Sequence, residues 1–185
     1  ERQIIWTYTL GESLRRLPFS PKVEAYIKVY NIDAANIPNA LLQEHSAQIK
    51  ALASEGFISE FRQVRLSDTV GKLCDSMGKC ERIKNTVFPR SYSVLLHTLI
   101  YVFTAILPFG LERLPVVIDI GICILIPTMF ISIEKTAIIM QDPFENTPVD
   151  TPMTTLAQTI EINIRQAIDD TDIPKKEDKG LYYEM

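Results

Sequence analysis

Residues 80–109 read CERIKNTVFPRSYSVLLHTLIYVFTAILPF, a charged segment that runs into an apolar one with no linker between them. Cys80, Glu81, Arg82, Ile83 and Lys84 open the segment, Pro89 and Arg90 mark the junction, and the chain is mostly apolar beyond Tyr92. A water-facing helix therefore feeds straight into a stretch with the character of a bilayer span. This junction sets the fold class.

The apolar part, residues 94–109, is followed after a short loop by residues 115–133, PVVIDIGICILIPTMFISI. Each is close to the roughly 20 residues that cross about 30 Å of hydrocarbon. Both are apolar on every face, unlike a half-exposed surface helix. Lipid admits only helices and closed barrels, so two antiparallel membrane helices joined by a tight outer turn are the simplest solution. The rival reading is a buried hairpin in a soluble protein, but a soluble chain of this size rarely needs two successive apolar helices so long. Lys79, Arg82, Lys84 and Arg90 precede the first span and Lys135 follows the second, whereas the loop has only Arg113, balanced by Glu112. The positive-inside rule then places both ends of the chain in the cytoplasm and the loop outside, as a multi-pass membrane protein. Asp119 reads as an acid near the outer interface, and His97 as a hydrogen-bonded packing residue with no metal-ligand partner at suitable spacing.

The 185 residues carry a net charge of -4 and are 46% hydrophobic, enough for one substantial domain and without the basic patch of a nucleic-acid binder. Cys74, Cys80 and Cys123 form no metal or redox pattern, and Cys74 and Cys80 fall on the reducing side. Glu1-Arg2-Gln3 enters a helical pattern with no initiator Met, signal peptide or cap, so the expectation is that an N-terminal portion precedes it. Helices are predicted over residues 3–17, 22–30, from Pro38 to a stop at Gly56, and then over a longer stretch. In that last stretch Phe61, Val64, Val70, Leu73, Met77 and Cys80 form one apolar stripe. Residues 134–141 continue the second span as helix, residues 142–148 form a loop, and residues 154–168 form a last amphipathic helix. Asp169, Asp170 and Asp172 oppose that helix's dipole. The expected regions are a cytoplasmic helical region at 1–90, the membrane hairpin at 91–133, a second cytoplasmic helical region at 134–170 and a solvated tail at 171–185.

Cys80-Glu81-Arg82-Ile83, then Asn85-Thr86, Pro89 and Tyr92, resemble the signature of bacterial-type bestrophins, roughly G-C-E-R-I-x-x-T-P-x-P-x-x-Y, with Val87 in place of the first proline. Asp142-Pro143-Phe144, Asp150-Thr151-Pro152-Met153 and Thr159-Ile160-Glu161 resemble the family's E-D-P-F-G…D-L-P-L-D…I-E. A third match is Asn36-Ile37-Pro38-Asn39-Ala40-Leu41-Leu42. The three motifs stand in the family order around a membrane hairpin and span most of the chain.

The resemblance implies an all-α membrane protein, a transmembrane hairpin with a cytoplasmic helical bundle, forming one subunit of a homopentameric channel with four membrane helices per subunit. The two spans would be the third and fourth, so the neck lined by the second lies outside this sequence. A second constriction, one apolar residue per subunit, would fall on or next to Phe61, flanked by Glu60 and Arg62. The other reading of Phe61 is the first core residue of an amphipathic helix, and both stand. Glu81 and Arg82 read as a charged pair that locks helices or meets a neighbouring subunit. The acidic run that binds calcium in eukaryotic members is reduced here to Glu145 and Asp150, so no calcium gating, metal or other cofactor is expected. Asp142 and Glu145 read as solvated loop acids.

The main functional expectation is a passive channel for small monovalent ions, a cation such as Na⁺ ahead of chloride, with lipid and copies of itself as partners. The chain has no P-loop, GxSxG or HExxH motif, and it does not read as an enzyme. The alternative is a membrane-anchored helical scaffold without a pore. A weaker enzyme reading would need Glu134, Asp142 and Glu161 to converge in a pocket.

Overall fold

The computed structural model of the protein describes residues 1–86, 90–110, 115–148 and 150–175. Val87 and Pro89 of the signature, Glu112 and Arg113 of the loop and residues 176–185 of the expected tail lie outside them. The described residues form seven α-helices and no strand: α1 (Arg2–Leu14), α2 (Pro21–Tyr30), α3 (Ile37–Ser54), α4 (Glu60–Asn85), α5 (Arg90–Gly110), α6 (Val116–Ile139) and α7 (Met153–Ala167). They divide into two units, Asn85–Pro143 with the two apolar helices, and the remainder.

In the larger unit α1 is the central element, packed against α2, α3 and α7. Ile4, Ile5, Trp6, Thr7, Thr9, Leu10, Gly11 and Leu14 are all buried, so burial runs around the helix. The two hydroxyls cost little, because Thr7 Oγ1 donates to the Ile4 carbonyl and Thr9 Oγ1 to the Ile5 carbonyl, each at 2.7 Å. Val23 and Tyr26 of α2, Ile37, Leu41 and Leu42 of α3, Met77 of α4 and Phe144 join the same core. Each fully buried aliphatic side chain contributes about 1.5–3 kcal/mol.

Helix ends follow the chemistry of the backbone. Asn36 caps α3, accepting from the Asn39 N–H at 3.0 Å, with Pro38 in the first turn. Gly56, at φ 78°, ends α3 in a left-handed turn: its N–H reaches the Ala53 carbonyl and the Phe57 N–H the Leu52 carbonyl. α1, α2 and α7 end with the same bond pattern at Arg16, Asn31 and Asp169, each at positive φ.

α5 and α6 form the smaller unit. Their candidate spans are Tyr92–Gly110 and Val116–Ile139, and almost none of either is buried inside the chain, as expected of helices that face hydrocarbon. α6 passes position 133 without a break. Hydroxyls within the spans are satisfied by their own helix: Thr98 bonds the Val94 carbonyl, Thr104 that of Ile100, Thr128 that of Ile124 and Ser132 that of Thr128. Phe103 meets Phe130 edge-on at 6.3 Å between ring centroids.

Gly11 lies where α1 approaches α7, and a Cβ placed there would stand 3.1 Å from Met153 Cβ. Gly11→Val should therefore destabilise the protein by about 1–3 kcal/mol through overpacking. Gly11→Ala should stay within about 1 kcal/mol of wild type, because the helix-propensity gain offsets the tight contact. Thermal unfolding in detergent, followed by tryptophan fluorescence from the buried Trp6, measures both; equal stability for Gly11→Val would mean the contact is slack.

Candidate functional site

The apolar stripe predicted along α4 divides into two halves. Met77 is buried, and Val70, Leu73 and Cys80 pack partly against the core. Phe61 and Val64, on the first turns, are 90% and 68% exposed. Within its own chain Phe61 is thus not a core residue, which corrects that reading: the burial expected from periodicity begins only after two turns. Glu60 and Arg62 are exposed beside it. Glu60, Phe61, Val64, Arg65 and Asp68 line one shallow surface depression.

The far half of α4 carries the C-E-R-I motif. Cys80 is half-buried and Ile83 half-exposed. Glu81 Oε1 accepts from Asn36 Nδ2 at 3.0 Å, so the residue that caps α3 with its oxygen holds α4 with its nitrogen. Two separate sequence motifs thereby meet at one side chain. Lys84 Nζ donates to the Phe144 carbonyl at 3.3 Å and to Glu145 Oε1 at 3.1 Å. Phe144 is buried in the core. Glu145, the side chain that replaces the usual glycine, is an exposed loop acid that also pairs with a largely buried lysine.

The second motif closes around α7. Asp150 is buried and accepts from the Thr147 N–H and Oγ1. Arg15, at the end of α1, donates to the Thr151 carbonyl at 2.9 Å and to Thr154 Oγ1 at 3.2 Å. Glu161, only 2% exposed, receives three donors: Tyr8 Oη at 2.9 Å, Arg165 Nε at 2.9 Å and Lys22 Nζ. Burial pushes its carboxyl up, but the bonds from Lys22, Tyr8 and Arg165 outweigh burial and hold it below the ordinary glutamate value. Burial and the Glu161 contact push the Tyr8 phenol up, which keeps it a donor. The three aspartates after α7 are less adverse than the dipole suggests, because Arg165 Nη1 reaches Asp170 at 2.8 Å.

In the hairpin, a groove of about 720 Å³ runs between α5 and α6, lined mostly by apolar side chains together with Tyr92, Ser93, Glu134 and Gln141. His97 Nε2 stands 3.3 Å from Glu134 Oε2 at this helix pair. The partner for His97 that sequence spacing did not reveal is therefore Glu134. No cluster of three or more His, Cys, Asp or Glu side chains suited to a metal exists among the described residues. Glu145 and Asp150 are committed to Lys84 and Thr147.

Residues 3–166 match the family described as bacterial/fungal bestrophin protein. The chain belongs to this family. It is 29% identical over 192 residues to the voltage-dependent anion channel-forming protein YneE of Escherichia coli K12, covering 99% of this chain and 62% of that protein. A Ralstonia nicotianae protein of the same description is 29% identical over 136 residues, covering 71% of this chain and 43% of its own length. The crystal structure of a bacterial bestrophin homolog from Klebsiella pneumoniae superposes with a TM-score of 0.78 at 22% identity, over 91% of this chain and 64% of that one. The bestrophin chain thus spans about three-fifths of the length of the curated relatives it matches. It is an all-α membrane protein, and those relatives are described as channel-forming proteins rather than enzymes.

The Glu161 knot was visible in sequence only as a motif fragment, since two of its three donors come from distant helices. Its sign with pH is definite. The folded carboxyl lies below its unfolded value of about 4.3. The stability it confers is therefore present above that pH and lost as pH falls through the folded value. Glu161→Gln should cost about 1–3 kcal/mol at neutral pH, with the gap to wild type narrowing as pH falls through the folded value. Denaturant unfolding at a series of pH values tests this; a constant gap down to acid pH would show that the charge is not what matters.

Proposed function

We propose that this bestrophin chain is part of a homopentameric, passive channel for small monovalent ions. Its helical regions 1–90 and 134–170 lie in the cytoplasm and residues 91–133 in the inner (plasma) membrane. The observation that carries the proposal is Phe61: a bulky apolar side chain, 90% exposed, at the start of a long helix whose other half is anchored. A ring of such side chains around a symmetry axis constricts a pore by dewetting. Glu60, Arg62, Arg65 and Asp68 surround it with charges of both signs, so the ring itself favours neither ion sign. The bacterial-type resemblance favours a cation such as Na⁺, and the names of the curated relatives favour an anion. The family signature residues Cys80, Glu81, Arg82, Ile83, Asp142, Pro143 and Phe144 have a structural part in this proposal, holding α4 and the loop that follows α6.

Planar-bilayer currents from the purified full-length protein, with reversal potentials in asymmetric NaCl, test the proposal. Phe61→Ala should raise the unitary conductance by removing the apolar barrier, and the sign of the reversal potential identifies the ion. An unchanged conductance would remove Phe61 from the conduction path. A confirmed pentamer without current would favour the scaffold reading instead.

A further inference from the structure

The charges around Phe61 balance when counted by residue type, but their positions and partners separate them. An α-helix turns about 100° per residue. Measured from Phe61, the core-facing Val70, Leu73, Met77 and Cys80 lie about 100–180° around the axis of α4. Phe61 therefore stands on the face turned away from the core. Along that face the helix carries Arg65, Asp68, Lys72, Asp75 and Lys79, all exposed.

Glu60 and Arg62 flank Phe61 about 100° to either side, equally placed and opposite in sign, so they offset each other. Asp68 lies two turns on and is held by Lys72 Nζ at 2.6 Å, a second neutral pair. Arg65 lies one turn from Phe61, about 40° away around the axis, and lines the same depression. Its guanidinium meets no carboxylate among the described residues. An arginine keeps its charge at any physiological pH. One positive charge per chain is thus left uncancelled beside the apolar side chain, and copies of it around an axis make the kind of ring that favours anions.

We propose that Arg65 sets the charge preference of the Phe61 constriction, its guanidinium drawing anions toward the apolar ring and holding cations back. The role rests on Phe61 forming the constriction proposed above. Reversal potentials in asymmetric NaCl, recorded in planar bilayers from the full-length protein, give the chloride-to-sodium permeability ratio. Whatever the wild-type ratio, Arg65→Gln should lower it about 2–5-fold, the scale of one exposed charge, and Arg65→Glu should lower it further. Arg65→Lys keeps the charge and should restore the ratio. The effect of Arg65→Gln should shrink between about 0.1 M and 1 M salt, as the Debye length falls from about 10 Å to 3 Å. Arg65 is exposed, so these variants leave the core intact. Currents whose ratio is unmoved by both Arg65→Gln and Arg65→Glu would overturn the role of Arg65 and leave the channel standing. A change of equal size at both salt concentrations would also overturn it, since a charge effect is screened. Absence of current from wild type and variants alike would overturn the channel, and the role of Arg65 with it.

Discussion

The helical unit depends on one buried carboxylate. Glu161 sits almost fully out of water, and its oxygens are reached from α1 through Tyr8, from α2 through Lys22 and from its own helix through Arg165. A charge in that position is tolerable only because all three donors arrive together. The requirement fixes more than a contact. It sets the rotation of α7 about its axis and the seating of α2 against α1, and the apolar core between these helices packs within that frame. Arg15 secures the N-terminal end of α7 in the same manner, through the Thr151 carbonyl and the Thr154 hydroxyl.

The hairpin solves the opposite problem. Its environment offers no water to satisfy polar groups, so serines and threonines turn their hydroxyls back to their own backbones. His97 and Glu134 cannot both do so. Their side chains approach each other across a seam whose described residues are mostly apolar.

Much of this was legible in the sequence, for identifiable reasons. The spans announced themselves because apolarity on every face needs no partner to be recognised. Gly56 and Pro38 marked helix ends through their own backbone limits. By contrast, Arg16, Asn31 and Asp169 also end helices in the left-handed region, and an arginine or aspartate gives no local signal for that. The spacing of Phe61 and Val64 matched the buried stripe but could not show where along α4 the supporting core stops. Glu145 read as a solvated loop acid and is exposed, but its pairing with Lys84 was hidden because the two are remote in sequence. The motifs were readable as a family pattern, while the bonds that join them, Asn36 to Glu81 above all, exist only once the chain is folded.

The uneven support of α4 has a mechanical consequence. The helix is gripped near Met77, Glu81 and Lys84, and its first turns project without cover. Core contact begins at Val70, and from there to Phe61 is nine residues, or about 14 Å of helix. A beam clamped at one end converts a small rotation at its root into a larger excursion at its tip: a tilt of roughly 10° carries Phe61 through about 2 Å, more than the rise of one helical residue. Small adjustments at the root of α4 are therefore leveraged into displacements at Phe61 that approach the width of a water molecule.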